Sequence, residues 1–451
     1  MPELSLPWGP SELRIVLPEH WQLQQVARAT LPKAKDNWPD ELAMLISQSG
    51  GEAGLGQLLA ARRGGRIVLV VEDATRHSPL AKIIEVIMRE IAHARIADSQ
   101  VEVVFATGMH PPVTIAEAVA KLGPFAQSLR WRSNCCHDQS AYVCLGRWGG
   151  IDVWLDRLVA SADLRILISS VSPHLQAGFG GGYKMLFPGC ARIDTIGALH
   201  RQGLSRSPRP LVGTDGAANP MRKAIDAAGQ LADSNSGRSY GVLYVLDESD
   251  SPTLIAVGEP PSCQQMLAKR CSVACGVLTE SPADILLVNA YPRDSDLWQS
   301  FKCIANTQWA ARAGGVIVCL TRCEMGSYGM KIPPWPLSPS GTRRLVRLLG
   351  PAALGSLLTR LVPSLAGDAA FFVRLALATI NRNPVLMVSP TLHAELGRFP
   401  GLTILPTVEQ AFSLAEKILG GGSRRVVAFP AGGITFPVLA ASVETNAGER
   451  P

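Results

Sequence analysis

Three segments of this 451-residue chain share a design that few folds accommodate. GRIVLVVEDATRHSP runs from an unbroken apolar stretch, Ile67 to Val71, into a polar loop. VEVVFATGMHPPVT does the same from Val101 to Phe105 into Thr107–His110, and ADLRILISSVSPHLQAG from Leu164 to Ile168. Apolar runs without alternation suit strands covered on both faces, as in a parallel sheet. Helical patterns follow the first two, LAKIIEVIMREIAHARI and TIAEAVAKLG. Strand, loop, helix, strand predicts a doubly wound α/β unit. Ligands of such sheets bind beyond the carboxyl ends of the strands. Asp73, Arg76, His110 and His174 all fall just past such ends and can converge on one site.

A second unit of the same kind starts near residue 280. ADILLVNAYPRDSDLWQSFKCIANTQWAARAGGVIVCLT reads as strand, capped helix, strand, with Asp294 or Ser295 as the N-cap. NPVLMVSPTLH and LTILPTVEQAFSLAEKILGG add a strand and a strand–helix pair, and KIPPWPLSPSG is a Pro-rich loop. The chain is too long for one core. We therefore expect two doubly wound α/β domains with the active site in the cleft between them. The expected division is residues 1–275, completed by 423–442, against 276–422. RRVVAFPAGGITFPVL could also close the second domain. The tail SVETNAGERP has nothing to pack against.

Composition narrows the function. Lys and Arg are scattered among Asp and Glu, and a net charge of +6 is modest at this length, so no nucleic-acid stripe is expected. No run reaches the ~18 apolar residues of a membrane span, and the first residues do not read as a signal peptide. The ten cysteines form no CxxC pair and no zinc spacing, and read as reduced thiols of a cytoplasmic protein.

SPHLQAGFGGGYKMLFPG places His174 and Lys184 on either side of a glycine run. Glycines let backbone approach a ligand closely, often a phosphate. The nucleotide motifs fail, however. Met185 stands where a P-loop needs Ser or Thr, and Tyr183 where a dinucleotide loop needs glycine. Lys184 can be a phosphate ligand, an activated amine or a surface lysine. Of eight histidines, His110, His174 and His200 follow strand ends or glycine-rich turns. His77 and His137 are weaker candidates, and His20, His93 and His393 read as structural or exposed. Arg76 offers a planar fork for a carboxylate, or a local pair with Asp73. Gln299 and Lys302 share a face near a helix start.

These stretches together resemble the lactate racemase family, which uses a nickel-pincer nucleotide. The resemblance spans roughly Trp8 to Leu439. It is carried by DATR, TGMHPP, HDQSAYVCLG, SPHLQAGFGGGYKMLFPG, the downstream His200, GTDGAANPMR and QSFK. It implies a pyridinium mononucleotide with two thiocarboxyl sulfurs, joined to Lys184 and carrying nickel completed by His200. Gly180, Gly181 and Gly182 would approach its phosphate. It further implies His110 and His174 as acid and base, Arg76, Gln299 and Lys302 as substrate contacts, and Asp73 in the substrate-binding set, orienting one of the groups. The reaction would invert C2 of a 2-hydroxy acid by proton-coupled hydride transfer, in a protein loaded by the host's cofactor-synthesis enzymes. Trp298 stands where the family pattern has tyrosine, near the expected side group of the substrate. A nicotinamide-dependent hydroxy-acid dehydrogenase and a non-catalytic cofactor-binding relative are the competing readings.

Overall fold

The computed structural model describes residues 2–49, 54–62, 64–203, 211–214, 216, 218–328, 336–362, 365, 369–396 and 399–439. The tail SVETNAGERP, all of KIPPW, and Asp215 and Ala217 of GTDGAANPMR lie outside them. The strands that build the two large sheets are, in chain order, β1 (Trp21–Val26), β2 (Ile67–Val71), β3 (Val101–Phe105), β4 (Arg130–Ser133), β5 (Leu164–Ser170), β6 (Arg238–Leu246), β7 (Pro252–Gly258), β8 (Ala283–Asn289), β9 (Ala311–Leu320), β10 (Val385–Val388), β11 (Leu402–Leu405) and β12 (Arg424–Phe429). The chain forms two compact units, Leu31–Val273 and Met1–Thr30 with Ala274–Pro451.

In the first, the strand order is β7-β6-β5-β2-β3-β4. All neighbours are parallel except the β6–β7 edge pair. The two faces of the sheet are buried in different cores, as the unbroken apolar runs require. Ile67, Leu69 and Val71 enter one core, and Val68 and Val70 the other. Helix α1 (Leu80–His93) covers one face with seven buried residues. Helix α2 (Ile115–Leu122) begins at a reciprocal cap between Thr114 and Glu117. Successive strands are added outward in opposite directions from the neighbouring β2 and β5, which makes their carboxyl ends the topological switch point. Val71 pairs with Phe105 on one side and Ile168 on the other, so the loops after β2, β3 and β5 leave the sheet side by side. Three further helices complete the frame of the site: α3 (Ile193–Gln202), α4 (Pro220–Asn235) and α5 (Pro260–Cys275).

The other unit has the order β11-β10-β9-β8-β12-β1, parallel throughout. Here the structure departs from the expected division. Residues 1–30 do not belong with the first unit: β1 is an edge strand on β12, and Trp21 is buried against Phe412 with ring centroids 4.8 Å apart. Leu4, Leu6 and Ile15 of the preceding hairpin enter the same core. The segment 423–442 does not complete the first unit either, because β12 lies between β8 and β1. The strand Phe436–Leu439 pairs with Gly276–Thr279 in the same unit. The N-cap of helix α6 (Leu297–Thr307) is Asp296, which accepts from the Gln299 amide at 3.0 Å. Asp294, expected there, is instead held by Arg322 at 2.6 Å and 3.2 Å. Among the described residues, no helix is long and apolar enough to cross a membrane.

Candidate functional site

The loop leaving β2 begins with two acids that do different things. Glu72 is buried and accepts from the Ser170 amide (2.9 Å) and hydroxyl (2.6 Å), from Ser78, and from the Tyr244 hydroxyl (3.3 Å). It ties the β2 loop to the end of β5 across the switch point. Sequence reading passed over it. The available signal was an acid directly after a fully apolar strand, where burial demands partners.

Asp73 turns the other way. Its Oδ1 accepts from the Thr75 amide (3.0 Å) and hydroxyl (2.6 Å), and its Oδ2 lies 2.6 Å from Nδ1 of His110. Burial pushes the Asp73 carboxyl up. The hydrogen bond and charge of His110, with Arg76 and Thr75, outweigh that and hold it well below the usual carboxylate range. Asp73 is thus a partner of His110. The local Asp73–Arg76 ion pair is not formed among the described residues. Nη1 of Arg76 reaches the Thr75 hydroxyl at 3.5 Å, and its carbonyl accepts from Lys121.

The loop leaving β5 folds back on itself, Pro173–His174 pairing with Gly178–Phe179. Nδ1 of His174 accepts from the amides of Gln176 (3.3 Å) and Ala177 (3.1 Å). The Gln176 side chain donates to the His200 carbonyl at 3.1 Å, and the Gln176 backbone carbonyl accepts from Asn219, the N-cap of α4. Gln176 therefore fixes the His174 turn against the end of α3 that carries His200. Gly203, just past that end, leaves it room: a Cβ there would meet the Gln176 amide nitrogen at 2.7 Å.

Gly181 and Gly182 have φ of +78° and +66°, and a Cβ on Gly181 would meet Val171 at 2.7 Å. Gly180 keeps an ordinary φ, and its carbonyl accepts from Gln264 at 3.2 Å. The carbonyls of Phe179 and Gly181 accept from Arg222, which is fully buried in α4 and paired with Asp226. In a planar peptide the N–H points opposite to the C=O. With those carbonyls drawn toward α4 and α5, the amides of Gly181 and Gly182 face the other side. Burial pushes the Arg222 guanidinium down and Asp226 pulls it back up, so a buried cation sits behind the cradle. Sequence reading assigned Arg222 only to a motif; its role depends on the helix placing it under the loop.

Lys184 lies in the turn Gly182–Met185, and its carbonyl accepts from the Gly189 amide at 3.1 Å. The Gly189 carbonyl in turn accepts from Gly108 at 2.9 Å. The Lys184 turn is thereby joined to the loop that carries His110. The structure so brings together Asp73, Arg76, His110, His174, Gly180–Gly182, Lys184 and His200 in one unit around one switch point. Gln299 and Lys302 belong to the other unit, in the first turns of α6, with Gln299 buried and Lys302 half-buried. His137 is exposed, and His77 pairs with Asp250 at 3.4 Å on the surface.

Fold and site define an α/β protein of two doubly wound units, with two histidines and a glycine cradle around one switch point. Residues 8–212 match the family described as Lactate racemase N-terminal domain. The chain is 25% identical over 343 residues to a lactate racemase of Thermoanaerobacterium thermosaccharolyticum, across 74% of this chain and 78% of that protein. It is 27% identical over 279 residues to a lactate racemase of Lactiplantibacillus plantarum, across 60% and 63%. In fold it is similar to the lactate racemase apoprotein from Thermoanaerobacterium thermosaccharolyticum, with TM-score 0.78 and 21% identity over 97% of this chain and 100% of that one. A Thermotoga maritima protein gives TM-score 0.63 at 18% identity, over 89% and 97%. The resemblance carried by the motifs and the α/β fold are both borne out.

Proposed function

We propose that this protein is an isomerase that inverts C2 of a 2-hydroxy acid with a nickel-pincer nucleotide held on Lys184. The observation that carries this reading is the placement of His110 and His174 at carboxyl ends around the switch point, beside the cradle and Lys184. The residues fit the nucleotide. The Gly182 amide faces away from the buried Arg222 and the Gly181 amide away from Gln264, suited to a single phosphate. An amine and an imidazole, Lys184 and His200, are tied to the two ends of the same loop system, and imidazole is an apt ligand for nickel.

When bound, the nucleotide supplies a pyridinium carbon that accepts the C2 hydride and returns it. The chain does the rest. Lys184 and His200 would hold the group. His110, backed by Asp73, exchanges the hydroxyl proton on one side, and His174 serves the other face. Arg76 and Lys302 provide charge for the substrate carboxylate, and Gln299 a polar contact. The substrate is a small hydroxy acid related to lactate, and loading depends on the host's cofactor-synthesis enzymes.

The test is intact mass and nickel content of the protein and of Lys184→Ala, both co-expressed with those enzymes, followed by a chiral screen of 2-hydroxy acids. A pincer-sized mass increase and near-stoichiometric nickel, absent in the variant, are expected. An unmodified mass without nickel despite active synthesis enzymes overturns the reading.

A further inference from the structure

His110 and His174 meet their surroundings with opposite chemistry. Nδ1 of His110 faces the Asp73 carboxylate at 2.6 Å. An ionised carboxylate only accepts, so Nδ1 carries the proton and Nε2 keeps its lone pair in the neutral ring. Nδ1 of His174 faces two backbone amides, at 3.3 Å and 3.1 Å. An amide N–H only donates, so this Nδ1 is bare and the proton of the neutral ring sits on Nε2. A second proton on His174 would aim an N–H at two N–H groups.

We propose that the two histidines are not interchangeable: His110 takes the substrate's hydroxyl proton, and His174 is held as an Nε2–H donor to the substrate oxygen. Asp73 and the Gln176–Ala177 turn are the positioning groups that set this asymmetry. The chemical roles rest on the racemase reading; the tautomers do not. In the step, the proton leaves the hydroxyl oxygen for Nε2 of His110, whose Nδ1–H stays on Asp73. When bound, the nucleotide would supply the acceptor for the C2 hydride, so that the O–H electron pair becomes the second carbon–oxygen bond. In the opposite direction His174 can accept a proton at Nε2 only after the ring changes tautomer, its Nδ1 leaving the two amides to carry the proton that Nε2 held.

Thr75 makes the idea sharply testable. Its amide and hydroxyl both donate to Oδ1 of Asp73. In Asp73→Asn the amide oxygen must stay with those donors, so the NH2 group turns to His110. Nδ1 of His110 must then accept, and its tautomer flips to Nε2–H.

Long-range nitrogen–proton NMR correlation of the imidazoles reads this directly on the full chain, with His110→Gln and His174→Gln for assignment. At neutral pH the expected result is a bare Nδ1 with Nε2–H on His174, an Nδ1–H on His110, and a flipped His110 in Asp73→Asn. An Nδ1–H on neutral His174, or an unchanged His110 tautomer in a folded Asp73→Asn, overturns the proposal. Should that variant not fold, the wild-type His174 and His110 signals decide. Expected tautomers in a chain that takes up no nickel and inverts no hydroxy acid would leave the asymmetry standing and remove only the racemase roles.

Discussion

Asp73 lies two residues beyond a fully buried strand, where desolvation alone raises a carboxyl, yet its partners hold it low. The sign of the pH dependence follows. A group whose folded pKa is depressed contributes stability above its unfolded pKa of about 3.9 and loses it as pH falls toward the folded value. Wild type should exceed Asp73→Asn by about 1–3 kcal/mol at neutral pH. The gap should narrow in urea titrations as pH drops below about 4, and a gap that stays constant through the acid range would count against the His110 pairing. Arg76 carries no ion pair among the described residues, which leaves its fork for a carboxylate. Arg76→Ala should lower kcat/KM for a hydroxy acid about ten- to a hundredfold, as the loss of a charged hydrogen bond implies. An unchanged kcat/KM would place Arg76 outside the site.

The helix behind the cradle tests packing against propensity. Gly229 is interior to α4, where alanine would ordinarily add about 1 kcal/mol. A Cβ there would lie 2.1 Å from the Tyr183 ring, and Tyr183 is itself fixed by its hydroxyl to Asp233 at 2.8 Å. Overpacking of this kind costs about 1–3 kcal/mol or more, so Gly229→Ala should destabilise. The chemical denaturation midpoint decides: a rise would mean that Tyr183 moves aside freely. Because Tyr183 adjoins Lys184, the same variant should also reduce uptake of the proposed nucleotide, read by intact mass.

The first thirty residues strengthen the unit that also contains the C-terminal strands. Trp21→Ala opens a cavity beside Phe412 and should cost about 3–5 kcal/mol. Hydrogen exchange should accelerate in β1, β8 and β12, while β2, β3 and β5 stay protected. Equal acceleration in both sheets would mean that the two units unfold as one. Much of this architecture was legible in advance. The buried runs at Ile67, Val101 and Leu164 announced their strands, and the loops behind them announced Asp73, Arg76, His110 and His174. The membership of residues 1–30 was not legible, because WQLQQV carries half-polar edge character and its partner lies four hundred positions away.

The sequence by itself determined the doubly wound design, since only a sheet covered on both faces can bury runs such as IVLVV, and it determined which chemical groups stand at strand ends. Tertiary structure decided what those groups touch. Glu72 became a clasp across the switch point, Asp73 a partner for His110, Gln176 the tie between His174 and His200, and Arg222 the anchor of the glycine cradle. Each of these depends on a contact between segments far apart in the chain. Local propensity and spacing carry no record of such contacts, because the donors and acceptors meet only when the sheet order and the helix placement are set.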